Sequence, residues 1–388
     1  MNIEVAERIK KIPLYLFSKI DELKKTVNNR DLIDLGMGNP DLPTPSHIVE
    51  KLKESLMLPS AYRYPPARGE EELRNAIARW YKQRYNVHLD PDKEVLPLIG
   101  SKEGIAITYL TFLNSGDIAI VPTPAYPVHF NGVILAGGIP YSLPIRKENN
   151  FLPDFSSIPE RILKKAKIIF ICYPNNPTTA IANQKFFKEA LTFAQKYNLI
   201  LAHDFAYAEI TFNGYRPPSL LQVEGSQERG IEFYSFSKTY NMAGWRIGCV
   251  VGNSNLINSI SKTKSYVDFG IFLPIQKAAA FAMQSSQDCV KELCKVYKRR
   301  RDILVEGLRK YGWQMDLPQA TMYVWAPLPP LYSKLKSQEF SEFLVKKIGV
   351  VTSPGTGFGE GGEGYIRFAL VESEEKIKEA VKRIASIL

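Results

Sequence analysis

Lys238 follows the apolar run "IEFYSF" and opens into "SFSKTYNMAGWR", with hydroxyls on both sides and an arginine eight residues on. A lysine so placed is a candidate amine nucleophile. Asp204 closes a second apolar run, "LILAHD", where a carboxylate is costly unless a cation or a strong donor meets it. Asn176 in "PNNPTTA" and Tyr207 in "DFAY" are neutral donors suited to a phenolate-like oxygen. Ser235, Ser237 and Arg246 suit a phosphate, and the guanidinium offers a bidentate fork. "IGSKEG" sets Gly100, Ser101 and Lys102 at a helix start. There the free backbone N–H groups and the helix dipole favour an anion.

Each residue alone is weak. A lysine after a strand is usually a solvated turn residue, an aspartate caps helices, and Asn-Asn-Pro marks a turn. The order of these residues, each at the end of an expected strand, points to a shared site.

The elements that must position them are legible as alternating patterns. "DIAIVP" (117–122), "KIIFICY" (167–173), "LILAHD" (199–204), "IEFYSF" (231–236) and "CVVG" (249–252) read as short strands. They are almost continuously apolar, as strands covered on both faces are. "EGIAITYLTFLN" (103–114) and "QKFFKEALTFAQKYN" (184–198) carry apolar residues at helical spacing. Strand, helix, strand in sequence predicts an open, mostly parallel α/β sheet, whose ligands bind at the carboxyl ends of its strands. From about residue 288 the texture changes to one long amphipathic helix, three strand-like runs and a closing helix. The expected organisation is an N-terminal arm that joins part of a small domain (1–44), a large domain (45–287) and a small α+β domain (288–388).

The bulk composition excludes several classes. The 388 residues are 45% hydrophobic and 23% charged, ordinary for a globular enzyme, and no apolar run approaches a membrane span. The N-terminus lacks a signal-peptide core, so the cytoplasm is expected. Cys172, Cys249, Cys289 and Cys294 form no C-x-x-C pair, which argues against zinc or a disulfide framework; no metal is expected. His47, His88 and His129 form no ligand set. His203, beside Asp204, should face the other side of its strand and be structural. The formal charge of +10 raises nucleic acid as an alternative partner. Its basic residues are dispersed, and the densest run, "KRRRD" (298–302), reads as a solvated helix face. A positive field also draws small anions.

One cofactor uses the whole residue set: pyridoxal 5′-phosphate. It needs a lysine for a Schiff base, an acid for its pyridinium nitrogen, partners for its ring oxygen and a phosphate cradle. The stretches "NNPT", "D-x-x-Y" and S-x-S-K, with Arg246 eight residues beyond the lysine, resemble the class I aminotransferases of pyridoxal phosphate fold type I. Within that group the chain is similar to the bacterial alanine (glutamate–pyruvate) aminotransferases, with the LL-diaminopimelate aminotransferases beside them. The resemblance runs from "IDLGMGNPDLPTP" to "GYIRFAL".

It implies that Lys238 is the Schiff-base lysine and proton shuttle, that Asp204 pairs with the ring nitrogen, and that Asn176 and Tyr207 bond the ring oxygen. Tyr126 would stack on the ring. Ser101, Lys102, Ser235, Ser237 and Arg246 would take the phosphate, and Tyr64 that of the partner subunit in a homodimer with shared sites. "SYVDFGIF" (265–272) would line the neighbour's pocket, and "IPLYLF" (12–17) would close over substrate. Arg367, with Asn176 and the backbone near Gly38, would bind the substrate α-carboxylate. The family usually has glycine where this chain has Thr179, which puts the shape of that loop in question. Regulators built on this fold carry a separate DNA-binding domain ahead of the pattern, which here starts within about the first 30 residues. The resemblance implies transfer from L-alanine to 2-oxoglutarate, with LL-diaminopimelate or aspartate as alternatives.

Overall fold

The computed structural model describes residues 4–13, 20–22, 24, 25 and 31–388. The segment "IPLYLF", expected to close over substrate, lies largely outside them.

Seven strands form the main sheet: β2 (Val95–Leu98), β3 (Ile118–Thr123), β4 (Ile139–Pro144), β5 (Ala166–Cys172), β6 (Ile200–Asp204), β7 (Gly230–Ser235) and β8 (Gly248–Gly252). Their spatial order is β2-β8-β7-β6-β5-β3-β4. Pairings from β4 through β7 are parallel, while β8 runs antiparallel to both β7 and β2. The mostly parallel α/β sheet expected from the sequence is therefore present. The two strands not foreseen, β2 and β4, are the edges. Both contain proline, which an edge tolerates because one side of its ladder is free.

Apolar side chains cover both faces. Phe170, Phe233 and Val250 pack with Ile105 and Tyr109 of the helix Ser101–Phe112 on one face. Ile169, Ile171 and Leu201 pack with Phe187 and Leu191 of the helix Gln184–Lys196 on the other. This is why these strands read as unbroken apolar runs.

Beyond the main sheet, β9 (Tyr323–Pro327), β11 (Ser353–Pro354) and β12 (Tyr365–Ala369) form a three-stranded antiparallel sheet, with β12 in the middle. β1 (Ile33–Asp34) pairs with β10 (Val350–Val351), which ties the start of the described chain to its last third. The second of the three strand-like runs expected after residue 288, "GVVTSPGTGFG", is broken: after β11 the chain turns into a 3-10 helix, Gly355–Phe358.

The long helix expected after residue 288 spans Asp288–Arg309. Its "KRRRD" run corrects the expectation of a solvated face. Arg300 and Arg301 are buried. Arg300 makes two 2.7 Å bonds to Asp41 and one of 2.9 Å to the Leu370 carbonyl. Arg301 donates to the Pro318 carbonyl at 2.6 Å and covers the Phe212 ring. Arg299 of the same run stays exposed, while Arg300 clamps the segment around Asp41.

Candidate active site

The carboxyl ends of β5, β6 and β7 lie side by side, and the chain leaves each of them with a polar residue. After β5, a turn built on Asn175 delivers Asn176: Asn175 Oδ1 accepts from the Thr178 amide at 3.0 Å and from its hydroxyl at 2.8 Å. Thr179 takes the left-handed conformation at φ 62°. A threonine in that conformation costs about 1–2 kcal/mol relative to the glycine usual at this position. Asp204 is the last residue of β6 and Tyr207 follows in the next turn. β7 ends at Ser235, and a one-turn helix, Phe236–Thr239, holds Lys238.

These side chains line one cavity of about 480 Å³. Of the expected site residues, Gly38, Ser101, Lys102, Tyr126, Asn176, Asp204, Tyr207, Ser235, Ser237, Lys238, Arg246 and Arg367 all face it. Tyr64 does not: it is exposed and leans edge-on against Phe269, with ring centroids 5.4 Å apart.

Lys238 is half-buried, and its Nζ donates to the Gly38 carbonyl at 2.8 Å. Burial first, then the charges of Arg367 and Arg246, push its pKa below the ordinary lysine value, while Tyr323 pulls it the other way. Asp204 Oδ2 accepts from His129 Nε2 at 3.0 Å, and its other oxygen accepts only a 3.2 Å bond from the Ala206 amide. Arg367 is fully buried. It donates to Asn176 Oδ1 at 2.8 Å and to the Gly36 carbonyl at 2.9 Å, between the rings of Tyr323 and Phe358. At the opposite end Gly100, at φ 78°, precedes the helix Ser101–Phe112. A Cβ there would stand 2.5 Å from Arg246 Nη2, so only glycine lets the guanidinium lie against this helix start. The cavity thus combines two anion sites, a helix N-terminus with Arg246 and the buried Arg367, with an amine.

The family profile of aminotransferases class I and II matches residues 30–384. This chain belongs to that family. The aminotransferase is 48% identical over 384 residues to an LL-diaminopimelate aminotransferase of Syntrophobacter fumaroxidans, covering 98% of both chains. It is 49% identical, with the same coverage, to an LL-diaminopimelate aminotransferase of Halothermothrix orenii. Among solved structures, substrate-bound BacF of Bacillus subtilis superposes with a TM-score of 0.96 at 40% identity, covering 100% of this chain and 98% of that one. The expected leaning to alanine gives way: these relatives carry the name of the LL-diaminopimelate branch.

The aminotransferase is dependent on pyridoxal 5′-phosphate, and the site fits that group. Asp204 is a 5% exposed carboxylate with hydrogen-bonding capacity left toward the cavity, as a partner for a cationic ring nitrogen must be. The amine of Lys238 stands within the same cavity, and the Gly100–Ser101 helix start with Arg246 forms an anion cradle.

Two residues of the site were not foreseen. His129, expected to have no ligand role, holds Asp204 from behind. It stands three residues after Tyr126, at the spacing that puts both on one face of a helix start, and that spacing was the available signal. Tyr323 begins β9 and reaches the middle of the cavity; nothing in its neighbourhood in the sequence marks it. His203 is structural as expected, 2.8 Å from Glu232 and 2.9 Å from the Tyr173 carbonyl.

Proposed function

We propose that this aminotransferase exchanges an amino group between LL-diaminopimelate and the 2-oxoglutarate/glutamate pair. The observation that carries the choice of amino acid is the near-complete coverage, at 48–49% identity, by relatives bearing that activity in their names. L-alanine remains the competing donor on the resemblance of the motifs.

When bound, pyridoxal 5′-phosphate supplies a carbonyl carbon for the amino group and a cationic ring that takes up the electrons left as the α-proton departs. The chain's own residues do the rest. Lys238 would hold the cofactor covalently, and its Nζ would be the base that takes the α-proton and returns it. Its lowered pKa leaves more of it in the basic form needed for that task. Asp204, held by His129, keeps positive charge on the ring nitrogen. Asn176 and Tyr207 would hold the ring oxygen, and Tyr126 would lie against the ring. Ser101, Lys102, Ser235, Ser237 and Arg246 fix the phosphate. Arg367, already clamped by Asn176 and two aromatic rings, grips the α-carboxylate in bidentate fashion.

The working form is a homodimer in which Tyr64 serves the partner's phosphate. Tyr62, Tyr64, Tyr266, Val267, Phe269 and Phe272 are all strongly exposed, a concentration of apolar rings that supports burial against a second copy. Among the described residues, no helix is long and apolar enough to cross a membrane.

A half-reaction screen tests the substrate. The cofactor's visible absorbance is followed as each amino acid is added to the holoenzyme. LL-diaminopimelate is expected to react with the highest kcat/KM; a clear preference for alanine or aspartate overturns this choice and leaves the family assignment intact.

A further inference from the structure

Tyr323 has no part in the scheme above, yet more of the site converges on it than on any other phenol. Its hydroxyl accepts a 3.0 Å hydrogen bond from the Tyr207 hydroxyl. The Arg367 guanidinium lies over its ring, 4.0 Å from the centroid. A Cβ on Gly38 would fall 2.0 Å from the Tyr323 oxygen, so the chain crossing the cavity at Gly38 rests directly on this phenol. The Gly38 carbonyl is in turn the acceptor for Lys238 Nζ. Asn176 closes the circuit, accepting from Arg367 at 2.8 Å while its amide nitrogen stands 3.5 Å from the Tyr207 oxygen. Tyr323 is 2% exposed, so water does not supply these contacts in its place.

We propose that Tyr323 is a positioning residue that joins the two halves of the site: its hydroxyl holds the proton-donating oxygen of Tyr207, and its ring holds the carboxylate-binding guanidinium of Arg367. The reasoning is a matter of counting protons. Tyr207 has one hydroxyl hydrogen, which it gives either to Tyr323 or to the cofactor's ring oxygen. While Tyr323 accepts it, Tyr207 is a weaker partner for that oxygen, and the proton affinity of the bound cofactor is set partly by Tyr323. The titratable and charged groups that act on the Tyr323 phenol are Arg367 on β12, Lys238 after β7, Tyr207 after β6 and the thiol of Cys172 at the end of β5. Burial pushes the Tyr323 phenol up, as does Cys172, but Arg367, Lys238 and Tyr207 together bring it below its ordinary value. The 3.0 Å bond is what keeps the Tyr207 hydroxyl turned toward Tyr323.

This rests on the assignment of Lys238 and Tyr207 to the cofactor, and the test separates the two. Holoenzymes carrying Tyr323→Phe, Tyr207→Phe and both substitutions are titrated with pH while the visible absorbance is recorded. Tyr323→Phe keeps the ring and frees the Tyr207 hydrogen for the cofactor, so the spectral midpoint is expected to fall by about half a pH unit or more. In the Tyr207→Phe background the same change is expected to do nothing. Affinity for an unreactive dicarboxylate should stay within about twofold in Tyr323→Phe. It should drop roughly tenfold in Tyr323→Leu, which removes the aromatic platform under Arg367. An unmoved midpoint in Tyr323→Phe, or an equal shift with and without Tyr207, overturns the proposal. Borohydride labelling is run on each preparation: label absent from Lys238 instead overturns the cofactor assignment.

Discussion

Two buried carboxylates on neighbouring strands each meet a buried histidine, and only one of the two pairs belongs to the site. Glu232 on β7 is fully buried, and its two oxygens accept from the Tyr81 and Ser219 hydroxyls, the Leu220 amide and His203. Four donors fill a carboxylate, so nothing is left for a ligand. Asp204 on β6 is nearly as buried but receives only His129 and one long amide bond, with its remaining capacity turned to the cavity. The same two chemistries, a carboxylate and an imidazole, thus divide into a structural pair and a functional one. What separates them is hydrogen-bonding capacity left unfilled next to a cavity, for which stability is given up locally.

If that division is right, removing a cavity group should damage chemistry and spare the fold. The largest effect is expected from Lys238→Ala, which should reduce turnover by about 10⁴-fold or more, since covalent attachment and proton transfer are both lost. Its circular dichroism and melting should stay close to those of the parent, and a collapse of the fold would break the comparison.

The crossed pair comes next. Asp204→Asn should cost about 10²–10⁴ in kcat, with a melting temperature near the parent's. Glu232→Gln should do the reverse, costing about 3–5 kcal/mol of stability because a filled buried network is broken, while kcat of the folded fraction stays within about twofold. Loss of activity at full stability in Glu232→Gln would erase the distinction.

A pH effect on the cofactor-free protein sharpens it further. Lys238 has its pKa lowered in the folded protein, by burial first and then by Arg367 and Arg246. Below its folded pKa, folding leaves this amine charged in an unfavourable site, and the unfolded chain holds the proton more tightly. Stability therefore rises with pH between the folded pKa and the ordinary lysine value near 10.5. Lys238→Met should melt at a higher temperature than the parent apoprotein at neutral pH, and the gap should close as pH approaches 10.5. A gap that is constant across pH would mean that the lysine is not under this strain. The smallest effect is expected at Thr179. Replacing it with glycine relieves the left-handed backbone but frees the unfolded chain, so stability should change by no more than about 1 kcal/mol, with kcat unaffected.

The sequence made the strand ends readable because strands covered on both faces are apolar runs, and a polar residue closing such a run stands out. That is how Asn176, Asp204 and Lys238 could be placed. Contacts made across the fold leave no such mark. Tyr323 meets Tyr207 over 116 positions of chain, and its own surroundings, "ATMYVW", look like any strand. Arg300 was read as solvated because its neighbours are charged, while its partner Asp41 lies 259 residues away. Tyr64 illustrates another limit: its motif was plain, but within one chain it points away from the cavity.

The central claim is that Lys238, and no other lysine, holds the cofactor at the carboxyl end of β7. Borohydride reduction of the holoenzyme, followed by proteolysis and mass mapping, reads this directly. The account predicts a stable pyridoxyl adduct on the peptide containing Lys238, abolished by Lys238→Ala; an adduct on Lys102 or any other lysine, with Lys238 unmodified, would contradict it.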